Sequence, residues 1–343
     1  MRGLATPHVE HYTLGLYGRL SSKIVLTLIS HARYDLNARQ IIVPKIPFHS
    51  NRSLLRDLLL KNISGRYDVV HVNLSSEGVL LRRWDNLIVT EHGVPDPSVE
   101  DKDSRLFYLR ELENLLTLSD SGVPIITISN YTANQLREKL GVKPLKVIYH
   151  GVLDDFRSNR IRRPPRRHVI LWVSRLANFK EPFVLLEAIR LIKDKADFIV
   201  VMRGDGPLKS RILEYLRVNG LSGRVRLINR VPFKSLPRLY RSSSFLVHTC
   251  SREPFGLAVL EAMASGLPVV VPDSGGAAEV AGNAALRYYP GEAEELADKI
   301  LSILGDDELY TSLSAKSLKR AESFSWVKSA GEYLKVYSRI AGG

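Results

Sequence analysis

The sequence predicts an α/β protein made of two parallel-sheet domains, and three observations carry that reading. The chain has 343 residues, 45% of them hydrophobic, which is enough to fill two cores. Its second half alternates short apolar runs with amphipathic stretches of helical length, the order that builds a parallel sheet covered on both faces. A proline- and arginine-rich run near residue 160 divides the chain into halves of similar size.

The elements of the first half are the less regular. The runs KIVLTLIS, RQIIVPK, DVVHVN, NLIVTEHG, PIITISN and KVIYHGV read as strands, with helices at about 51–62, 104–119 and 130–140. In the second half HVILWVS is a strand. The helix EPFVLLEAIRLIKDK follows, with Pro182 in the first turn, where its missing N–H costs nothing. Next come the strand DFIVVM, the loop RGDG, the helix PLKSRILEYLRVNG, the strand RVRLIN and the short helix SLPRLYRSS. SSSFLVHTC is a buried strand, GLAVLEAMAS a helix that Gly266 is placed to end, and LPVVV another strand. A short strand around ALRYY and further helices complete the chain. Both halves read as Rossmann-type sheets: 1–160, 161–320, and a final helical segment 321–343 that crosses back to the first domain. Ligands of such sheets bind at the carboxyl ends of the strands, so two of them facing each other would form one central cleft.

Composition narrows the classes. The single cysteine, Cys250, excludes an intrachain disulfide and a thiolate cluster, and reads as a small buried hydrophobe in a reducing compartment. The N-terminus shows no apolar stretch of signal-peptide or membrane-spanning length, so a cytoplasmic protein is expected. A net charge of +13 favours polyanionic partners without naming one. Six arginines of that excess (Arg157, Arg160, Arg162, Arg163, Arg166 and Arg167) fall in FRSNRIRRPPRRH, read as an exposed linker between the domains. Contact of this run with anionic lipid or an anionic acceptor is the alternative. The basic residues lack the interleaved aromatics of a single-strand binder, so no specific nucleic acid is expected.

The chemistry lies in loops that leave strands and enter helices. Arg175 and Lys180 flank the loop of WVSRLANFKEPF, where two cations beside unpaired helix N–H groups suit a diphosphate. Gly204 and Gly206 of RGDGP allow tight turns and close approach to a ligand. Neither a Gly-x-Gly-x-x-Gly fingerprint nor a Walker A sequence occurs, which argues against a dehydrogenase and a P-loop ATPase. Glu253 precedes Pro254 and is expected in extended backbone, whereas Glu261 lies within the following helix. Two carboxylates aimed into a cleft suit the hydroxyls of a sugar and a ribose.

The stretch EPFGLAVLEAMASGLPVVVPDSGGAAEV resembles the signature of the GT-B glycosyltransferases of family 4, with SRLANFK, RGDGP and EHG in the family's order. The likeness is specific through residues 165–290. It implies a GT-B fold and a retaining hexosyltransferase that moves a sugar from a UDP-, GDP- or ADP-sugar to a hydroxyl of a carbohydrate, lipid-linked or small-molecule acceptor. It implies that Glu253 meets the donor sugar, Glu261 the ribose, and Arg175 and Lys180 the diphosphate as it gains charge. The N–H groups of Phe255, Gly256 and Leu257 would assist at the helix start, and Val231 and Pro232 would pass the nucleobase. His92 resembles the family's histidine beside the reacting sugar, and Ser129 and Asn130 its capped acceptor-side helix.

The opening MRGLATPHVEHYTLGLYGRL departs from the family's strand and Gly-Gly loop, so the first strand is expected to be absent, shortened or displaced. His8, Glu10, His11 and Tyr12 are then the local substitutes, and His8 and His11 match a metal pair in spacing alone. Asp101-Lys102-Asp103 has the spelling of a metal-binding Asp-x-Asp but follows no strand, and reads as a solvated turn. Cationic side chains and helix termini can replace a metal here, so no ion or cofactor beyond the nucleotide sugar is expected. A GT-B isomerase or phosphorylase is the alternative within the fold. Outside it stands a non-enzymatic basic α/β protein that binds RNA or an anionic membrane, and peripheral membrane association also stays open for the enzyme. The oligomeric state is left open.

Overall fold

The computed structural model describes residues 1–6, 9–43, 61–94, 96 and 102–342. They form two compact units, Met1–Gly151 with Ser325–Gly343, and Val152–Phe324.

The first unit is built on a seven-stranded sheet. Its strands are β1 (Arg2–Ala5), β2 (Val25–Ser30), β3 (Arg39–Ile42), β4 (Val69–Val72), β5 (Leu87–Glu91), β6 (Ile125–Thr127) and β7 (Lys146–Val147). They run parallel in the order β3-β2-β1-β4-β5-β6-β7, so the chain winds one way from β1 and then reverses between β1 and β4. β4 and β5 are buried at every position, as strands covered on both faces must be.

The first strand, expected to be absent, shortened or displaced, is present as the four-residue β1. Gly3 pairs with Leu26 on one side and Val69 on the other, which places this four-residue strand in the middle of the sheet. Only Leu4 and Ala5 supply apolar side chains to the core. The strand is held by hydrogen bonding to two neighbours, and so short a segment leaves no run for a hydrophobic pattern to detect. Of the helix expected at about 51–62, positions 51–60 lie outside the described residues, and 61–63 are helical.

The second unit repeats the plan. β8 (His168–Val173), β9 (Phe198–Arg203), β10 (Val225–Ile228), β11 (Phe245–Val247), β12 (Val269–Pro272) and β13 (Leu286–Tyr288) run parallel in the order β10-β9-β8-β11-β12-β13. Ile170, Trp172, Phe198, Val200 and Met202 of the central strands pack with Leu185, Leu186 and Ile189 of the helix Pro182–Ile192. The chain turns back at the end of Leu257–Ala264 through Gly266, whose φ of 76° no side chain adopts cheaply. Gly266 N–H donates to Met263 O at 3.0 Å and Leu267 N–H to Ala262 O at 3.0 Å, which satisfies the last carbonyls of that helix.

The arginine-rich run is not a linker between the units. The chain passes between units at 151/152 and again at 324/325, so the whole run lies inside the second unit. Two of its arginines are anchors. Arg157 donates to Phe324 O at 2.9 Å, and Arg162 to Arg241 O at 2.9 Å and Ser243 O at 2.7 Å. Arg160, Arg163, Arg166 and Arg167 are exposed.

The final helix, Trp326–Gly342, belongs to the first unit. It buries Trp326, Tyr333, Val336 and Tyr337 and leaves Val327 exposed at 65%. Its polar tips enter a buried network. The Tyr337 hydroxyl lies 2.6 Å from His71 Nδ1, His71 Nε2 2.7 Å from Thr90 Oγ1, and Thr90 Oγ1 2.9 Å from the Tyr333 hydroxyl. Burial pushes the His71 imidazole down to about 3, so it stays neutral and donates through one nitrogen only.

Candidate active site

In the second unit, loops after five successive strands come together at the carboxyl edge of the sheet. The loop after β8 carries Arg175 and Lys180. It nests against RGDG after β9: Leu176 N–H donates to Asp205 O at 3.0 Å and Leu208 N–H to Leu176 O at 3.0 Å. The two glycines are there because the loops touch. A Cβ on Gly204 would stand 2.0 Å from Ser174 O, and one on Gly206 2.5 Å from Leu176 O. After β10, Val231 O accepts from Arg203 at 3.2 Å, and Pro232 precedes the turn Phe233–Ser235.

The loop after β11 leads to Glu253. Its carboxylate lies 2.7 Å from Lys180 Nζ and 3.4 Å from His248 Nε2. Burial pushes this carboxyl up, but the Lys180 ammonium and the His248 ring outweigh it and hold the group well below the usual carboxylate range. Glu253 is therefore a half-buried anion at neutral pH, with Lys180 as its counter-charge. The loop after β12 clamps this segment from behind. Gly276 N–H donates to Glu253 O at 2.6 Å and Ser274 Oγ to Ser251 O at 2.8 Å. A Cβ on Gly276 would stand 2.2 Å from Pro254 O.

Gly256, with φ 97°, opens the helix Leu257–Ala264, and Phe255 beside it is buried against Phe324 at 6.0 Å. Glu261 is buried on that helix and accepts from the Tyr240 hydroxyl at 2.7 Å. Leu257 begins the helix, half-buried. Lys180 and Glu253 are thus in direct contact and Glu261 is held separately by Tyr240, while Arg175 is exposed at the rim.

Three residues of this arrangement escape the sequence reading: His248, Tyr240 and Glu181. Glu181 stands in the left-handed region at φ 52° and ψ 44°, immediately before Pro182. Its carboxylate accepts from the Ser251 N–H at 3.2 Å and from the Ser251 hydroxyl. A left-handed glutamate costs about 1 kcal/mol or more, which these bonds offset. Glu181→Gly should leave the melting temperature near its original value but loosen the loop before Glu253. The backbone amides of residues 250–253 should exchange their hydrogens several-fold faster by mass spectrometry. Unchanged exchange would show that Glu181 does not position this loop.

In the first unit, His92 follows β5. Its Nε2 lies 2.8 Å from Asn73 Oδ1, and its ring packs edge-on against Tyr12 at 4.8 Å. Ser129 caps the helix Asn130–Leu140 by accepting from Thr132 N–H at 3.0 Å. Asn130 is the first helical residue, not the cap, and donates to the Tyr149 hydroxyl at 2.5 Å. His11 is buried with Nε2 3.1 Å from Gly151 O, and Tyr12 is buried as well, which makes both core residues of this unit. His8 lies outside the described residues, as does Asp101, and the helix has already begun at Lys102.

Beside His92, Glu91 is buried with its carboxyl pushed up to about 8, chiefly by burial, against the Ser75 hydroxyl bond at 2.9 Å, with nearby Glu111 adding to the rise. A carboxyl raised above its unfolded value holds its proton longer in the folded state. Stability from this group is full below about pH 4.5 and is lost as pH rises towards about 8. Glu91→Gln should therefore raise the melting temperature at pH 8.5 and change it little at pH 5. Equal shifts at both would remove the buried carboxyl as the cause.

No helix among the described residues is long and apolar enough to cross a membrane. Residues 154–320 match the family described as Glycosyl transferases group 1, and residues 9–156 the one described as Glycosyltransferase Family 4. An uncharacterized glycosyltransferase of Methanocaldococcus jannaschii is 31% identical over 219 residues, which span 63% of this chain and 60% of that protein. O-antigen chain mannosyltransferase B of Escherichia coli is 24% identical over 280 residues, 76% of this chain and 72% of its own. The crystal structure of Anabaena HepE in complex with UDP-glucose superposes with a TM-score of 0.80 at 18% identity, over 99% of this chain and 100% of that one. Two consecutive family matches, the shared two-sheet topology and the signature around Glu253 and Glu261 lead to one assignment: the chain belongs to the GT-B glycosyltransferases of family 4.

Proposed function

We propose that this chain is a retaining glycosyltransferase that moves a sugar from a nucleotide-diphosphate sugar to a hydroxyl acceptor. The observation that carries the reading is the half-buried Lys180–Glu253 pair, set where the loops after five parallel strands converge. In this reading the bond between the anomeric carbon and the diphosphate oxygen breaks, and its electron pair leaves with the diphosphate. The acceptor hydroxyl oxygen bonds to that carbon from the same face, and its proton passes to the departing diphosphate. Arg175 and Lys180 stabilise that growing charge, Lys180 sharing its donors between phosphate and Glu253. Glu253 holds the sugar hydroxyls and Glu261 the ribose. Phe255, Gly256 and Leu257 offer backbone N–H groups, Gly204 and Gly206 let the backbone approach the ligand, and Val231 and Pro232 lie by the base. The neighbour solved with UDP-glucose and the mannosyltransferase relative support a nucleotide-sugar donor and a carbohydrate acceptor.

UDP-, GDP- and ADP-sugars should be screened for thermal stabilisation, and the hits assayed for transfer in the presence of a chelator. The proposal expects one nucleotide class to stabilise the protein, transfer without added metal, and an anomeric configuration in the product, read by NMR, equal to the donor's. Stabilisation by no nucleotide sugar would reject it, and an inverted product would reject retention. The exposed Arg160, Arg163, Arg166 and Arg167 favour a further reading, peripheral attachment to anionic lipid. Equal co-sedimentation with neutral and anionic vesicles would reject that one.

A further inference from the structure

We propose that His248, Cys250 and Glu253 form a binding site for a soft divalent cation of the zinc type, which competes with Lys180 for Glu253. The three side chains offer an imidazole nitrogen, a sulfur and a carboxylate oxygen, all within 4.8 Å of one another. This mixture of donors suits zinc and disfavours magnesium and calcium, which take oxygen.

The positions are prepared by the fold. His248 follows β11 directly, is 4% exposed, and its carbonyl accepts from the Tyr288 hydroxyl at 3.2 Å. Its Nε2 has no hydrogen-bond partner among the described residues and faces Glu253 at 3.4 Å, long for a hydrogen bond. A buried polar atom without a partner is costly, and a metal ion would satisfy it. Cys250 is 2% exposed, and its thiol points at Phe179 O at 3.0 Å. Glu253 lies between this pair and Lys180, whose Nζ is 2.7 Å away.

Charge and geometry both close. Zinc binding would take the thiolate and release the thiol proton to solvent. One thiolate and one carboxylate then neutralise the divalent ion, with water as the fourth ligand. Zinc bonds of about 2.0–2.3 Å set tetrahedral ligands roughly 3.5 Å apart, so the three donors need only side-chain rotation to meet around one ion. The Lys180 ammonium would then face a cation and withdraw from Glu253. On the donor-site reading above, and only on it, that withdrawal blocks nucleotide-sugar binding. The ion binding itself stands independently of that reading.

The test is a titration of the unmodified protein with Co²⁺ alone as a spectroscopic stand-in. One equivalent should produce tetrahedral visible bands and a thiolate charge-transfer band, both abolished by Zn²⁺ and unaffected by Mg²⁺. Cys250→Ser should lose the charge-transfer band and His248→Ala should weaken binding at least tenfold. X-ray absorption of the zinc-loaded native chain should show one sulfur among nitrogen and oxygen ligands, a measurement that needs no variant to fold. Absence of a thiolate band, or its survival in Cys250→Ser, would overturn the proposal. If the activity assay succeeds, Zn²⁺ should inhibit the native enzyme and spare Cys250→Ser. Zinc bound through sulfur with an undiminished affinity for nucleoside diphosphate would confirm the ion site and overturn the competition.

Discussion

Glu253→Gln is expected to lower turnover about ten- to a hundredfold, the equivalent of losing a charged hydrogen bond worth roughly 1.5–3 kcal/mol. The substitution keeps the shape of the side chain and removes its charge. Lys180 Nζ, 2.7 Å away, then loses its half-buried counter-ion, and on the proposed donor site the sugar hydroxyls lose a carboxylate acceptor. A sugar ring that develops positive charge and slips out of line with the departing phosphate reacts more slowly, so the loss should appear in turnover. Glu261→Gln should behave differently. Its Tyr240 bond of 2.7 Å can be kept by a glutamine oxygen, and a ribose does not change during transfer. Weaker ribose binding is uniform, raising the Michaelis constant with little effect on turnover. Arg175→Ala or Lys180→Ala should both weaken donor binding, raising the Michaelis constant, and lower turnover. The comparison uses one donor, steady-state kinetics, and circular dichroism to confirm that each variant is folded. Normal turnover in Glu253→Gln would move the proposed donor site away from this loop.

The contrast between what could and could not be read in the chain follows from how far each signal reaches. β8 and β9 are runs of six apolar-rich residues, and Pro182 and Gly266 punctuate helices locally, so the second unit was legible element by element. Glu253 and Glu261 share one loop and helix, so a single stretch of sequence displays both. Partners that meet only through the fold left no such trace. His248 reads as the end of a strand until Glu253 folds back to 3.4 Å from it, and Glu181 as a helix-entry acid until Ser251, seventy residues on, donates to it. β1 was hidden by its shortness. The arginine run misled for a related reason. Its charge suggested solvent, yet Arg157 and Arg162 spend their guanidinium groups on carbonyls at Phe324, Arg241 and Ser243, which only the folded chain brings near.

Ending the chain at Phe324 should deprive the first unit of its native fold. The removed helix carries six buried residues, Trp326, Ser329, Ala330, Tyr333, Val336 and Tyr337, into the same unit as β1, β4 and β5. Loss of a single large aromatic from a core costs about 3–5 kcal/mol, and a whole domain is stable by only about 5–15 kcal/mol. Polar losses add to the apolar ones. His71 would lose the Tyr337 hydroxyl at 2.6 Å, Thr90 the Tyr333 hydroxyl at 2.9 Å, and Tyr149 O the Ser329 hydroxyl at 2.6 Å. Point variants separate the two contributions. Trp326→Ala should cost about 3–5 kcal/mol through the cavity it leaves beside Gly15, where an added Cβ would stand 2.2 Å from the indole. Tyr337→Phe keeps the ring and should cost only about 0.5–1.5 kcal/mol, the loss of one hydrogen bond, because the Tyr17 hydroxyl stays 3.5 Å from the same His71 Nδ1. Denaturant unfolding of the full chain and the three variants would rank them as truncation, Trp326→Ala, then Tyr337→Phe. The second unit should retain its own transition throughout, because its core of Ile170, Trp172, Phe198 and Val200 lies within Val152–Phe324. A truncated chain that keeps both transitions would mean that the final helix covers the first unit without holding it together.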